Sequence, residues 1–337
     1  MTTTSAPTVP LETAPEVVLG LCHGHVTARA LQVVADLGVA DLVEDCGRTE
    51  LELAGALHAD ADALDRILRL LGAAGLFRRD QAGRWHNTEA STVLRSDHPS
   101  SLRDFVRMTG TPFHWESVGH LDHTVRTGAP GITRLDPAGW LHYLDAHPAE
   151  HEIFQQAMTS KAHDDIGAVL AVHDFSRYRT VVDVAGGRGH LVAAVLATYP
   201  TGTGVLFELP AVAAEALAAD RLTVVAGDLF TDPLPAGDAY ILMNVLHDWD
   251  NDRAVDVLTS VAKAGNPGAT VLVVETVLPE GAGPHYAKTL DVVMLAITGG
   301  RERTAAEYRA LLEASGLDLA AVVPTATPFS LIEATIR

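Results

Sequence analysis

The sequence has few of the features that mark secreted, membrane-bound or nucleic-acid-binding proteins. Its 337 residues include two cysteines, Cys22 and Cys46, which are too few for a disulfide scaffold in a chain of this length. The net charge of −19 argues against binding to a phosphate backbone. No uninterrupted apolar run approaches the about 18 residues of a membrane helix, and the first residues lack the basic start and apolar stretch of a signal peptide. We therefore expect a cytoplasmic protein that binds neither membranes nor nucleic acid.

A glycine-rich turn in the middle of the chain lacks the spacing of a dinucleotide site. Residues 181–190 read VVDVAGGRGH, so a run of β-branched residues leads to Gly186, Gly187 and Gly189. A strand, a glycine turn and a helix allow a ligand to approach the backbone closely. The third glycine of G-x-G-x-x-G is replaced by Val192, and no G-x-x-x-x-G-K-[ST] loop occurs. The turn therefore predicts a nucleotide-type site that does not bind a pyrophosphate.

Residues 1–98 are predicted to form a mainly helical, winged-helix-like domain. Within them, residues 49–88 show a short helix, a turn, a second helix and a hairpin centred on Gly83. This pattern is typical of a DNA-binding domain or of a dimerisation domain of the same shape. The second helix, residues 59–72, carries three acids and two bases and is a poor surface for phosphates. Dimerisation is the favoured interpretation, and a regulator that senses a small molecule is the alternative.

The rest of the chain is predicted to form a connector and an α/β domain. Residues 99–175 mix helical stretches with aromatic and histidine residues, which predicts a helical connector that contributes to a substrate pocket. Residues 176–337 alternate strands and helices, the pattern of a Rossmann-like, mostly parallel sheet with helices on both faces. The helices of this domain are predicted over residues 188–198, 210–218, 251–264 and 303–315. Two final strands, 317–323 and 329–336, predict an antiparallel hairpin at one edge of that sheet.

Polar residues follow the predicted strands at their carboxyl ends, where such sheets bind ligands. Glu208 lies 21 positions after Gly187 and can accept hydrogen bonds from both ribose hydroxyls. Asp228 follows the next strand and can accept an adenine amino group while Phe230 packs on the ring. Each acid taken alone fits a turn residue equally well. Together they predict an adenosine site without phosphates, which fits S-adenosylmethionine.

His247 follows the fourth predicted strand and is the candidate general base. A phenol has an ordinary pKa of about 10 and imidazole of about 6.5, so proton removal is best concerted with attack on a methyl group. Glu302 and Asp291 are candidates for the carboxylate that fixes the imidazole tautomer, although Glu302 also fits an acid before a helix. The histidines of the HGH and HDWD segments lack zinc-site spacing, and no CxxC occurs, so we expect no metal.

Taken in order, the segments DVAGGRGH, FELP, GDLF, NVLHDWD and GGRERT resemble those of a known family. They are similar to the plant-type, class I S-adenosylmethionine-dependent small-molecule O-methyltransferases, especially the bacterial members that modify aromatic natural products. The resemblance implies a homodimer formed through the N-terminal domain, and His247 as a base oriented by Glu302 and Asp291. Glu208 stands where the family more often has aspartate, and Asn244 where plant members often have lysine.

The resemblance also implies a cofactor site and an activity. The expected cofactor residues are Asp183, Gly186, Gly187, Gly189, Glu208, Leu209, Gly227, Asp228, Leu229, Phe230 and Asn244. The expected substrate residues are Trp115, Met158, His163, Met243 and Met294, each of which also fits the core. The implied reaction methylates a phenolic hydroxyl of a polyketide-like aromatic compound, as in antibiotic biosynthesis, and leaves S-adenosylhomocysteine. Methylation mainly by proximity, and a relative that uses the cofactor for hydroxylation, decarboxylation or a pericyclic reaction, are the alternatives.

Overall fold

The chain divides into two compact units, the first ending at Gly110 and the second spanning Thr111–Arg337. The structure, a computed structural model, describes residues 13–43 and 46–337. The finer division of the sequence at residues 98 and 175 stays a prediction about which segments carry which role.

The first unit consists of helices and a small hairpin. Its elements are α1 (Ala14–Leu37), α2 (Val39–Leu42), α3 (Glu50–Leu57), α4 (Ala61–Ala73), β1 (Phe77–Arg79), β2 (Trp85–Asn87), α5 (Glu89–Thr92) and α6 (Arg103–Thr109). Leu64, Leu68 and Leu71 recur at helical spacing on α4 and pack into the core of this unit with Phe77 and Trp85 of the hairpin. Helices α3 and α4 followed by β1 and β2 confirm the predicted winged-helix-like pattern.

Helix α1 corrects one expectation about the sequence. An 18-residue window within its 24 residues has a mean hydropathy of 1.3, so by length and composition alone α1 is able to cross a membrane. His23, His25 and Arg29 interrupt its apolar residues, so the sequence shows no unbroken apolar run of that length. Val18 and Leu21 are 64% and 78% exposed. An exposed apolar surface of this kind is typical of a contact with another chain or with a membrane.

The second unit begins with helices and continues as an α/β fold. Its helices are α7 (Pro112–Gly119), α8 (Leu121–Thr127), α9 (Trp140–Ala146), α10 (Pro148–Val172), α11 (His190–Thr198), α12 (Pro210–Ala213), α13 (Asn251–Ala264), α14 (Tyr286–Ile297) and α15 (Ala305–Ala314). Its strands are β3 (Thr180–Val184), β4 (Thr203–Glu208), β5 (Leu222–Ala226), β6 (Ala239–Met243), β7 (Thr270–Thr276), β8 (Leu317–Pro324) and β9 (Phe329–Ile336). Three single turns of 3₁₀ helix, Gly131–Arg134, Phe175–Arg177 and Leu246–Asp248, complete the unit.

The strands of the second unit form one sheet in the order β5-β4-β3-β6-β7-β9-β8. The pairs from β5 through β7 are parallel, and β9 runs antiparallel to both β7 and β8. This arrangement confirms the predicted parallel sheet with an antiparallel hairpin at its edge. Because the chain leaves β3 toward β4 on one side and reaches β6 on the other, the carboxyl ends of β3 and β6 border a crevice suited to ligand binding.

Two helices differ from the sequence prediction. The helix predicted over residues 210–218 ends at Ala213, and the backbone N–H of Leu217 donates to Arg188 instead of continuing the helix. Helix α14 was not predicted. It begins after His285, whose side chain caps the first turn, and it buries Ala287 and Met294, two turns apart. This helix carries Asp291, so it matters for the site described below.

Candidate active site

The glycine turn after β3 has a backbone that requires glycine. Gly187 and Gly189 have φ of +60° and +83°, the left-handed region that side chains disfavour. A Cβ atom on Gly186 would lie 2.5 Å from Oδ1 of Asp183, so a side chain there would displace the turn or the carboxylate. A Cβ on Gly187 would meet nothing within 4 Å, so this part of the turn is open. The turn therefore presents backbone to whatever binds at the ends of β3 and β4.

Two buried side-chain oxygens near this turn have no hydrogen-bond partner among the described residues. They are Oδ1 of Asp183, on β3, and Oδ1 of Asn244, directly after β6. Asp183 is fully buried, and its other oxygen accepts from the Val192 amide at 3.3 Å. Burial raises the pKa of Asp183 to about 7. Unpaired buried acceptors are costly, so their position at adjacent strands indicates a site for donor groups of a ligand.

Glu208 joins the end of β4 to the glycine turn. Its two carboxylate oxygens accept from the backbone amides of Gly187, at 2.9 Å, and Leu209, at 2.7 Å. Burial raises the pKa of this carboxyl group. Each oxygen keeps a second lone pair, so the side chain can accept further hydrogen bonds while it holds the turn.

The side chain of Asp228 stabilises a turn in this structure. Of the two roles predicted for it, turn residue and adenine acceptor, this is the simpler one. Its Oδ1 accepts from the Phe230 amide at 2.8 Å, two residues on. The Phe230 ring contacts Trp249 edge-on, with centroids 4.7 Å apart, and the Arg253 guanidinium lies 3.4 Å from its centroid. Arg253 was not predicted from the sequence. A contact of Asp228 with adenine stays a prediction. Gly227 and Leu229 lie in the same turn.

His247 and Glu302 form a hydrogen-bonded pair in the interior of the second unit. Nδ1 of His247 lies 2.8 Å from Oε1 of Glu302, and both residues are buried. Asp248 lies on the other side of the ring, with its Oδ1 3.8 Å from Nε2. Burial alone would lower the pKa of His247, but the bond to Glu302 and the nearby carboxylates raise it to about 9. The pair fixes the imidazole orientation, with Nδ1 facing Glu302 and Nε2 facing away.

Glu275, on β7, was missed by the sequence analysis and holds the backbone around His247. Its Oε1 accepts from the amides of Val245, Leu246 and His247 at 3.1, 2.6 and 3.1 Å. Its Oε2 accepts from the Tyr308 hydroxyl at 2.6 Å. The side chain is fully buried. The sequence does contain a signal for Glu275, which is the single acidic residue in the apolar strand sequence TVLVVET. A buried charge needs hydrogen-bond donors, so such a residue is expected to bind polar groups.

Arg303 and Asp291 hold the two segments that carry the pair. The fully buried guanidinium of Arg303 donates to the carbonyl oxygens of Leu246 and Trp249, at 2.9 and 2.8 Å. Asp291 accepts from the backbone amide of Glu302 at 2.9 Å. Of the two carboxylates proposed to orient the imidazole, Glu302 therefore bonds to the ring, and Asp291 bonds to the backbone of Glu302.

His247, Glu275 and Glu302 also lie close enough to be considered as metal ligands. Their ligand atoms are within 4.8 Å of one another. The oxygens of Glu275 already accept three amides and a hydroxyl, and those of Glu302 accept from His247 and Thr276. This arrangement is typical of a hydrogen-bonded network, and the absence of a metal stays a prediction.

The predicted substrate residues differ in their exposure. Met294 is buried on α14, Met243 is half-buried at the end of β6, and Trp115 on α7 and Met158 on α10 are also half-buried. His163 is exposed, two residues from Lys161 and therefore on the opposite side of α10. Met243 packs against the apolar core between α10 and the sheet, which fits the core interpretation. Their contact with a substrate stays a prediction.

Each of the two units matches a known family model. Residues 119–318 match the O-methyltransferase domain, and residues 19–97 match the O-methyltransferase dimerisation domain. The chain belongs to this O-methyltransferase family. The second match includes α1 from residue 19 onward, so the exposed Leu21 belongs to a dimerisation domain.

Individual relatives agree with the family assignment. The chain is 36% identical to the phenazine O-methyltransferase PhzM of Lysobacter antibioticus, over 94% of this chain and 95% of the relative. It is 36% identical to the mitomycin biosynthesis 6-O-methyltransferase of Streptomyces lavendulae, over 95% and 94%. The O-methyltransferase NcsB1 from neocarzinostatin biosynthesis, solved with S-adenosylmethionine and 2-hydroxy-5-methyl naphthoic acid, superposes with a TM-score of 0.77 and 35% identity, over 92% and 96%.

The chain is therefore an S-adenosylmethionine-dependent O-methyltransferase of the bacterial natural-product type, as its sequence predicted. These findings support methyl transfer over the alternative chemistries considered from the sequence. The residues around the glycine turn also fit the cofactor, because Glu208 and the two unpaired oxygens can accept hydrogen bonds from hydroxyl and amino groups. The carboxylates around His247 favour a positively charged group nearby.

Proposed function

We propose that this enzyme methylates a phenolic hydroxyl group of an aromatic, polyketide-like natural product. The observation that carries this proposal is the buried His247–Glu302 pair at the carboxyl ends of β6 and β7, in the sheet where β6 is the neighbour of β3, the strand that leads to the glycine turn. One of the relatives described above is named a phenazine O-methyltransferase, a second is named for mitomycin biosynthesis, and a third is solved with a hydroxynaphthoic acid. The first two names share transfer of a methyl group to oxygen, and the acid bound in the third structure carries a hydroxyl group on a fused aromatic ring.

In the proposed reaction, bound S-adenosylmethionine supplies an electrophilic methyl group on a positively charged sulfur. His247 accepts the phenolic proton at Nε2, while Glu302 holds Nδ1–H and stabilises the imidazolium that results. With a pKa of about 9, the ring of the ligand-free protein holds a proton at neutral pH. A positive charge bound beside it lowers that pKa, so occupation of the site prepares His247 to act as a base.

The cofactor residues have distinct proposed roles. Glu208 accepts hydrogen bonds from the ribose hydroxyls. Asp183 and Asn244 accept hydrogen bonds from the amino group of the methionine part. Gly186, Gly187 and Gly189 let that part approach the backbone, while Leu209 and the turn of Gly227, Asp228, Leu229 and Phe230 surround the adenine. Trp115, Met158, Met243 and Met294 are proposed to line the acceptor pocket, whereas His163 is left out because its side chain is exposed on α10.

We also propose that the protein is a cytoplasmic homodimer. The match to a dimerisation domain and the exposed apolar residues of α1 support association of two copies through the first unit. Cys22 and Cys46 are both exposed and form no disulfide, which suits a reducing compartment.

The experiment that tests the function measures where the methyl group goes. The enzyme is incubated with methyl-labelled S-adenosylmethionine and a panel of aromatic phenols, each paired with the arylamine of the same ring. We expect label on phenolic oxygen and one equivalent of S-adenosylhomocysteine for each product formed. Label only on nitrogen, or a changed product without S-adenosylhomocysteine, would contradict the proposal.

A further inference from the structure

A lysine on α10 lies near the catalytic pair but has no role in the mechanism described so far. Lys161 is one of three lysines in the chain, and its side chain is only 18% exposed. Its ammonium lies 4.0 Å from the centroid of the Phe329 ring and 3.5 Å from Oδ2 of Asp165. An ammonium has three donors, and among the described residues Asp165, at the long limit of a hydrogen bond, is the one acceptor it contacts.

The position of Lys161 in the fold connects it to the catalytic pair. Phe329, which the ammonium covers, is the direct strand partner of Thr276 at the carboxyl end of β7. The Thr276 hydroxyl donates to Oε2 of Glu302, whose other oxygen bonds to His247. The strand pair that carries the Phe329 ring therefore also carries the hydroxyl that bonds to Glu302.

The electrostatics of the neighbouring groups agree with this position. Burial lowers the pKa of Lys161, while the charges of Asp165 and Glu302 act to raise it. Burial also raises the pKa of Tyr286, on α14, and the charges of Glu302 and Asp165 raise it further. The charges of Asp165 and Glu302 thus act on both Lys161 and Tyr286.

We propose that Lys161 determines acceptor specificity by binding a carboxylate group on the aromatic substrate. A partly buried ammonium loses part of its hydration free energy. An anion that accepts hydrogen bonds from its remaining donors compensates for that loss. In this arrangement the acid group of the acceptor contacts the Lys161 ammonium, while its reacting hydroxyl faces Nε2 of His247. This inference rests on the proposed function, and it narrows the acceptor to an aromatic hydroxy acid.

The test compares a carboxylate with a neutral group of the same shape. Binding of 3-hydroxy-2-naphthoic acid and of 3-hydroxy-2-naphthamide is measured by calorimetry, with and without S-adenosylhomocysteine, on the full-length protein. We expect the wild-type protein to bind the acid at least about 10-fold more tightly than the amide, the size of a charge-assisted hydrogen bond. In Lys161→Met this preference should disappear, with the amide affinity unchanged within about 3-fold.

Three further variants separate recognition from structural effects. Lys161→Arg keeps the charge and should retain part of the preference, whereas Lys263→Met, on the exposed surface of α13, removes the same charge and should leave it unchanged. Asp165→Asn removes the competing carboxylate and should tighten binding of the acid, an effect that simple loss of packing would not produce.

Several outcomes would overturn the inference. They are equal binding of acid and amide to the wild-type protein, no detectable binding of the acid, or a preference that persists in Lys161→Met. Failure of the proposed function has a different signature, namely no affinity for S-adenosylhomocysteine, or no methyl transfer to the oxygen of any phenol in the panel, whether acidic or neutral.

Discussion

Nδ1 of His247 and Oε1 of Glu302 lie 2.8 Å apart in the interior, although the two residues are 55 positions apart in the chain. Neither segment holds this geometry alone. Glu275 accepts the amides around His247, and Arg303 donates to the carbonyl groups of the same loop. Asp291 accepts the amide of Glu302. The backbone on both sides of the pair is therefore fixed by side chains from β7 and α14 and by Arg303, the residue after Glu302.

Replacement of the proposed base tests its role directly. In His247→Ala we expect turnover to fall by about 10² or more, since general-base catalysis contributes about that factor. Affinity for S-adenosylmethionine should persist, as measured by calorimetry on the same preparation. His142→Ala is the matched control, because His142 pairs with Asp136 at 2.6 Å on the exposed surface. Near-normal turnover in His247→Ala would instead favour methylation by proximity.

The pKa of His247 should depend on Glu302. In Glu302→Gln the imidazole loses its charged partner, so its pKa should fall from about 9 toward the ordinary value of about 6.5. A raised folded-state pKa contributes stability that is present below about pH 6.5 and is lost as the pH rises through about 9. Wild-type protein should therefore lose more unfolding free energy over that range than Glu302→Gln.

Two measurements check this prediction. An NMR titration of the histidine ring reports its pKa, and denaturant unfolding at several pH values reports the stability difference. Glu313→Gln, exposed at the end of α15, provides a control with the same chemical change. An unchanged pKa in Glu302→Gln would mean that Asp248 and Glu275 alone set the charge of the ring.

Glu208 should contribute to cofactor affinity. Glu208→Ala removes the proposed ribose acceptor and also frees the amides of Gly187 and Leu209, so we expect binding of S-adenosylhomocysteine to weaken by about 10-fold or more. Calorimetry measures this affinity, and circular dichroism checks the fold. Glu215→Ala, which removes a half-exposed partner of Arg188, should bind normally. Equal affinities for the wild type and Glu208→Ala would remove Glu208 from the site.

The backbone of residues 247–249 leaves no room for a side chain at Gly300. A Cβ there would overlap the carbonyl oxygen of His247 and lie 2.5 Å from the backbone carbon of Asp248. We expect Gly300→Ala to lower the melting temperature by several degrees, at roughly 2–4 °C for each kcal/mol lost, and to reduce turnover. Gly281→Ala is the control, because a Cβ there meets nothing within 4 Å. A Gly300→Ala protein with normal stability and turnover would show that the loop adapts readily.

The sequence by itself determined the parts whose signal is local. Periodic apolar residues gave the strands, the glycine spacing excluded a dinucleotide, and Glu208 and His247 follow strand ends that one sheet brings to the same edge. The tertiary structure decided the rest, since partner choice depends on which backbone groups meet in space. It selected Glu302 over Asp291 as the partner of the imidazole, revealed Glu275 through the amides it accepts, and placed Lys161 beside Phe329. Contacts between residues far apart in the chain carry no local pattern, which is why only the folded chain shows them.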